Sequence, residues 1–269
     1  MMLHESIQSA YPGFRWKTYF FLLVLVLFGA IGIIPYMFKL TGEARPLEPL
    51  PFAVLVFLQA YITSAVLAFA GMKMSTRTGL GTPIFNLFFY GNTAEKKSIT
   101  YWNIIFSPII LGCITGTAII FIDYLFYFAG LRIELTSGGS IPSWWEGILA
   151  SFYGGVAEEI MLRLFFMNFL VWIVYRIKKK TVSEGYSSKF TIISAIIISS
   201  VLFAFGHLPV VANTMNLTPL LFIRTLTLNI LPGLVFGFLY YKNGLFSAVI
   251  SHFSADIILH VLFPLIQGK

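Results

Sequence analysis

The chain is poor in charge. Only 11% of its 269 residues are charged, against roughly a quarter in a typical soluble domain, whereas 58% are hydrophobic. This composition excludes a disordered chain and a charge-rich coiled coil. The formal net charge of +7 does not indicate a nucleic-acid partner, because the basic residues stand between long apolar runs and form no basic stripe on a soluble surface.

Cysteine is almost absent as well. Cys113 is the single cysteine, so an internal disulfide, a cysteine-only metal site and thiol–disulfide chemistry are excluded. The motifs of common soluble enzymes are also missing: the sequence has no His-Glu-x-x-His, no Gly-x-Ser-x-Gly and no P-loop. The chemistry must therefore be sought inside the apolar runs.

Seven apolar runs are long enough to cross a bilayer, which takes about 20 residues of helix. We predict spans at residues 18–38, 51–72, 104–129, 148–175, 190–206, 217–241 and 245–266. The first run is longer than the roughly 7–15 apolar residues of a signal peptide, so we expect it to be retained. Residues 84–90 are too few to span and predict a re-entrant or eighth, short helix. The expected fold is an all-α, polytopic membrane bundle of seven to eight helices, with residues 1–269 as a single transmembrane domain.

The loops differ in positive charge, which sets orientation. One alternating set of segments is basic and contains Arg15, Lys17, Lys73, Arg77, Lys96, Lys97, Arg176, Lys178, Lys179, Lys180, Lys189 and Lys242. The other set contains only Lys39, Arg45 and Arg132. This bias predicts a multi-pass protein with a cytoplasmic N-terminus.

Nine ionisable residues remain inside the predicted spans. Each costs several kcal/mol at the bilayer centre unless it is paired or hydrated, so such residues indicate function by default. They are Asp123, Glu158, Glu159, Arg163, His207, Arg224, His252, Asp256 and His260.

The fourth predicted span carries two adjacent glutamates. Glu159 and Arg163 are four residues apart and can form an ion pair on a helix, whereas Glu158 lies about 100° around the helix and is left outside that pair. Gly154 and Gly155 would let another helix approach closely and enclose Glu158. The alternative is that both glutamates belong to a buried salt-bridge network.

The fifth and seventh spans supply histidines. Phe203 lies one turn before His207 and can pack against its ring, although His207 near the predicted span end could also be an interfacial residue. His252 and Asp256 are one turn apart on one helix face, and the carboxylate can fix the tautomer of the imidazole. His260 shares that face, but its place near the end of the span favours an interfacial histidine.

Asp123 and Arg224 stand apart from these sets. Each lies near the end of its span, at the end away from the basic loops. We therefore expect them to pair across two helices in a structural salt bridge.

Three sets of residues, taken in order, resemble a known family. Glu158-Glu159-x-x-x-Arg163, Phe203-x-x-x-His207 and His252-x-x-x-Asp256 are similar to the motifs of the CAAX-protease and bacteriocin-processing superfamily of intramembrane glutamate proteases. The chain looks most like a type II CAAX prenyl endopeptidase, from about residue 143 to its C-terminal end. The resemblance implies a helical bundle around a conical intramembrane cavity. It also implies metal-independent removal of the C-terminal tripeptide from prenylated CAAX proteins, with membrane lipids around the enzyme.

The same resemblance implies residue roles. Glu158 would be the general base and His207 would help to activate water, while His252 and Asp256 would stabilise the oxyanion. Glu159, Arg163 and Phe203 would support the site. Peptide hydrolysis needs both an activated water and donors for the developing negative charge.

Three other functions use the same residues. Glu158, His207, His252 and Asp256 are acceptable zinc ligands, so a zinc-dependent membrane protease is one alternative to an enzyme without a cofactor. A transporter or proton channel also places carboxylates and histidines within spans. The third alternative is a non-proteolytic immunity protein or scaffold of the same superfamily.

Overall fold

The computed structural model describes residues 14–42, 45–91, 101–136, 138–177 and 188–266. These residues form an all-α bundle without strands, and their single extended pairing is an antiparallel bridge between Leu135 and Met215. The helices are α1 (Trp16–Thr41), α2 (Pro49–Thr78), α3 (Pro83–Tyr90), α4 (Trp102–Phe128), α5 (Trp144–Ile177), α6 (Lys189–Thr214), α7 (Pro219–Asn243) and α8 (Leu245–Ile266).

Seven of these helices are long and apolar enough to cross a membrane; α3 is the exception. Their outward faces carry large apolar side chains that are more than half exposed, such as Phe28 at 61% and Phe121 at 65%. Such a surface is unfavourable in water and suits contact with lipid. The predicted all-α, multi-pass membrane fold is confirmed.

The short helix α3 corresponds to residues 84–90, which were predicted to form a re-entrant or eighth helix. Its 8 residues extend about 12 Å and cannot cross the hydrocarbon core. It lies beside α1 and α8, where Phe85 contacts the rings of Phe21 and Phe246. Asn86 accepts a 2.7 Å hydrogen bond from Thr18. Within the described residues, the bundle therefore has seven spans and one short helix, α3.

The predicted end of the fifth span at residue 206 is wrong. Helix α6 continues through Pro209 to Thr214, about two turns beyond the predicted span. A proline removes one backbone hydrogen bond, but helices in membranes tolerate this when neighbouring groups satisfy the freed carbonyl. His207 therefore lies within a helix and not at its end.

The two ends of the bundle differ. Contacts between Lys73 and the Phe14 ring, and between Asn243 and the carbonyl of Asn103, bring the basic loops together at one end. The buried apolar core lies in the half nearer this basic end, where its members include Leu22, Met72, Leu164, Val171, Ile192, Tyr240 and Leu245. The predicted cluster at residues 178–180 lies outside the described residues.

Small residues let the spans approach closely around α5. A Cβ on Gly29 of α1 would lie 3.1 Å from the Phe152 carbonyl oxygen, and one on Gly155 would lie 3.1 Å from Cβ of Phe253 in α8. Helix backbones can approach this closely only where side chains are absent or small. Gly154 and Gly155 were predicted to let another helix approach closely, and this prediction is confirmed. The helix that approaches is α8, which packs beside the two glutamates.

Candidate active site

The three predicted motif sets meet around His252. Its imidazole Nδ1 lies 2.9 Å from Oε1 of Glu159, and its Nε2 lies 3.8 Å from Glu158 and 3.7 Å from Asp256. The first distance is a hydrogen bond; the other two exceed one. Three carboxylates thus surround one imidazole at the contact between α5 and α8.

Glu159 and Arg163 form the predicted ion pair. Nε of Arg163 lies 3.3 Å from Oε2 of Glu159, and both side chains are essentially fully buried. Arg163 also donates a 3.2 Å hydrogen bond to the Ser199 hydroxyl of α6. The guanidinium therefore compensates one of the two adjacent carboxylates and links α5 to α6.

Glu158 is left outside the ion pair, as predicted. Its side chain keeps 19% of its surface accessible, against 1% for Glu159. The adjacent glutamates therefore have different environments: Glu159 is buried and paired, whereas Glu158 borders accessible space.

The orientation of His252 differs from the prediction. Asp256 was expected to fix the tautomer, but Nδ1 donates its hydrogen bond to Glu159. The reason is that Asp256 approaches Nε2 at 3.7 Å, so the helix turn between the two residues does not bring their polar atoms into bonding distance. A carboxylate on Nδ1 leaves Nε2 directed toward Glu158 and Asp256.

Aromatic rings hold both histidines. The ring of Phe236 stacks on His252 at 4.5 Å with an interplanar angle of 21°. Phe203 meets the His252 ring edge-on at 5.8 Å and the His207 ring edge-on at 4.7 Å. The expected packing of Phe203 on His207 is confirmed, and Phe203 touches both imidazoles.

His207 is fixed by its own helix. Its Nδ1 lies 2.9 Å from the Phe203 carbonyl oxygen. Since a carbonyl only accepts, Nδ1 carries the hydrogen and Nε2 of the neutral ring is free to accept. A Cβ on the adjacent Gly206 would meet nothing within 4 Å, because Gly206 lies on an exposed face of α6.

Wide helical turns flank the cluster. Segments Tyr153–Glu158 and Ile160–Met167 of α5, and Ile257–Leu262 of α8, are wound as π-helix. Each π turn inserts residues relative to an α-helix and re-aims the side chains on it, and such turns occur often at functional sites. Gly154 lies in the first of them. A Cβ at this position would overlap Oδ2 of Asp256 and lie 3.3 Å from Nε2 of His252.

Asp123 and Arg224 form the predicted salt bridge away from this cluster. The guanidinium is bidentate, with Nε and Nη2 lying 2.5 and 2.9 Å from the two carboxylate oxygens. Asp123 also lines a cavity of about 530 Å³ together with Tyr124, Arg132 and Phe263. None of the seven predicted site residues lines this cavity.

Metal binding receives no geometric support. Among the described residues, no group of three or more His, Cys, Asp or Glu side chains is arranged to hold a metal ion. That search includes the four ligands that the zinc alternative would need. The enzyme without a cofactor remains a prediction.

Sequence reasoning missed three neighbours of the site. Phe236 lies in α7 and Ser199 in α6. Neither carries an ionisable group, so the search for charges within apolar runs did not identify them. Tyr36 of α1 meets the His260 ring edge-on at 5.7 Å. A phenol hydroxyl inside an otherwise apolar span was the available signal for Tyr36.

The comparisons with known proteins agree with the motifs. Residues 140–258 match the family model described as "Type II CAAX prenyl endopeptidase Rce1-like". This range runs from just before α5 into α8 and includes all three motif sets, so the predicted family resemblance is confirmed there. No curated protein and no solved structure shows a significant match to the chain.

Proposed function

We propose that the protein shares the activity named by the family matched at residues 140–258. It is an intramembrane endopeptidase that removes the C-terminal tripeptide of prenylated CAAX proteins, with Glu158 as the general base. The observation that carries this proposal is the position of His252. Its Nδ1 is held by Glu159 and its Nε2 faces Glu158 and Asp256.

Glu158 and His207 activate the water. Glu158 is the accessible member of the glutamate pair, with 19% of its side chain exposed, so it can meet a substrate and a water molecule. His207 has Nδ1 bound to the Phe203 carbonyl and therefore presents Nε2 as an acceptor that orients the water. A base within hydrogen-bond reach of a water proton contributes about 10²–10⁴-fold to a hydrolytic rate.

His252 stabilises the oxyanion. Three carboxylates and the guanidinium of Arg163 give its surroundings a formal charge of −2, which favours the imidazolium. That form donates from Nδ1 to Glu159 and from Nε2 toward the substrate. The separations of 3.7 and 3.8 Å from Nε2 to the two other carboxylates exceed a hydrogen bond, so the Nε2 donor is left for the substrate oxygen.

The steps balance without another reactant. Glu158 takes a proton from water while the hydroxide adds to the scissile carbonyl, whose oxygen becomes negative and accepts a hydrogen bond from His252. The tetrahedral intermediate collapses, the carbon–nitrogen bond breaks and the proton on Glu158 passes to the leaving amine. The new carboxylic acid passes its proton to the released amine, so the products are the shortened protein with a carboxylate and a free tripeptide with an ammonium group, and Glu158 is again ionised. Asp256 contributes a second donor when it is protonated.

Glu159, Arg163 and Phe203 act as positioning residues. Glu159 contacts no accessible space, but it fixes the ring of His252 through one hydrogen bond. Arg163 pairs with Glu159 and holds its carboxylate in place. A donor aimed in advance at the developing charge is worth more than one that must reorient during the reaction.

The same proposal states how the substrate approaches. The prenyl chain partitions into the surrounding lipid, and the basic end of the bundle faces the cytoplasm together with the N-terminus, as the distribution of Lys and Arg favours.

The test uses the purified full-length protein and a farnesylated CAAX peptide. Mass spectrometry should detect the released tripeptide, and the unprenylated peptide should be cleaved more slowly. Activity should persist in 1,10-phenanthroline. Loss of activity that only zinc restores would replace the glutamate mechanism with the zinc protease, and proton-coupled flux without cleavage would favour a transporter.

A further inference from the structure

Two polar side chains near the site have no role in the proposed mechanism. The rings of His260 in α8 and Tyr36 in α1 meet edge-on at 5.7 Å, and both residues are half-buried. Neither the imidazole nitrogens nor the phenol hydroxyl makes a hydrogen bond with any residue in the described part of the chain. Polar groups held inside a bundle without partners are costly, and this pair remains available to a ligand.

His260 faces the same side of α8 as His252. In an α-helix, each step of four residues advances about 40° beyond a full turn, so two such steps would place His260 about 80° from His252, at the edge of the shared face. The π segment Ile257–Leu262 takes more residues per turn and reverses this drift.

The packing of α5 fixes the distance between His260 and the catalytic cluster. A Cβ on Gly154 would meet Asp256 and His252, whereas one on Gly147 would meet the backbone carbonyl of His260. Seven residues of helix separate these two glycines, or about 10 Å. Eight residues separate His252 from His260, or about 12 Å.

The distance between His260 and the catalytic cluster is close to the length of the tripeptide to be released. Three residues in extended conformation span roughly 10–11 Å. With the scissile carbonyl at His252, the third residue beyond it ends beside His260. The group at the end of that residue is the C-terminal carboxylate of the substrate.

We infer that His260 and Tyr36 form the subsite that binds the C-terminal carboxylate of the peptide substrate and so set the cleavage point three residues from the chain end. This inference rests on the proposed function. The imidazole and the phenol each offer one donor to a carboxylate oxygen. Along the helix axis, His260 lies about 6 Å from Asp256.

The test compares two farnesylated peptides of one sequence, one ending in the free acid and the other in the amide. Wild-type protein should cleave the acid with the higher kcat/KM. His260→Phe keeps the ring and removes both nitrogens, and Tyr36→Phe removes only the hydroxyl. Each should lower the acid-to-amide ratio of kcat/KM, His260→Phe by about tenfold or more, which corresponds to one hydrogen bond to a charged group. The loss should appear in KM.

Tyr124→Phe is the matched control. Tyr124 lies on α4 against Phe263 and should leave both the ratio and the activity unchanged. A variant that merely misfolds lowers both rates and not the ratio. Equal cleavage of acid and amide by wild type, or an unchanged ratio in both site variants, would overturn the carboxylate subsite while the protease assignment stands. Failure to cleave either peptide would instead contradict the proposed function and the subsite with it.

Discussion

The substitution Gly154→Ala adds a single methyl group at the centre of the proposed site. The new Cβ would overlap Oδ2 of Asp256 and lie 3.3 Å from Nε2 of His252. The overlap can be relieved only if the Asp256 carboxylate rotates away or if α5 and α8 move apart. The first response displaces the second proposed oxyanion donor, and the second moves His252 away from Glu158.

The effects on stability and activity should differ in size. Alanine is a better helix former than glycine by about 1 kcal/mol, whereas overpacking a close contact costs typically about 1–3 kcal/mol. The net change in unfolding free energy should therefore be a destabilisation of at most about 2 kcal/mol. A displacement of about 1 Å at a reacting centre can lower a rate by about 100-fold, and we expect at least that loss in kcat.

The assay is tripeptide release from a farnesylated CAAX peptide, with thermal unfolding in detergent measured on the same preparation. Gly206→Ala is the control, because a Cβ at residue 206 meets nothing within 4 Å; it should keep full stability. If Gly154→Ala retains wild-type kcat, the contact between Gly154 and the His252–Asp256 pair is not part of the active arrangement.

The remaining predictions concern charge and topology. Arg163→Ala leaves the buried Glu159 uncompensated and should lower both activity and the unfolding free energy, by about 3–5 kcal/mol; a melting temperature equal to that of wild type would refute the ion pair's role. Asp123→Asn and Arg224→Gln, combined in a double-mutant cycle, should give a coupling of about 1 kcal/mol because the pair is partly exposed, with cleavage retained. In a Cys113→Ser background, Lys242→Cys should resist an impermeant thiol reagent in intact cells while Arg132→Cys is labelled; the reverse pattern would invert the topology.

The sequence predicted the spans well because a bilayer imposes a simple length rule. The seven predicted apolar runs overlap α1, α2, α4, α5, α6, α7 and α8, and the charges that remained inside them included every member of the cluster. The error at Pro209 has a physical cause. Proline ends most helices in water, but α6 continues past it to Thr214.

Contacts between helices were less predictable. Spacing along one helix predicted the pairs Glu159–Arg163 and Phe203–His207. It also suggested that Asp256 fixes the tautomer of His252, whereas His252 donates its hydrogen bond to Glu159 on another helix. The relative rotation of α5 and α8 decides this contact, and the π turns that set the rotation leave no clear pattern in the sequence. Tyr36 lies in α1, outside the motif region, and only the packing of the helices brings it to His260.

The most direct test of the account is the rate of tripeptide release by Glu158→Gln. Glutamine keeps the size of the side chain and removes its ability to accept a proton, so the rate should fall by roughly 100- to 10,000-fold while thermal unfolding stays near that of wild type. Glu134→Gln, an exposed loop carboxylate, should retain full activity. A Glu158→Gln protein that releases the tripeptide at the wild-type rate would contradict the assignment of Glu158 as the base.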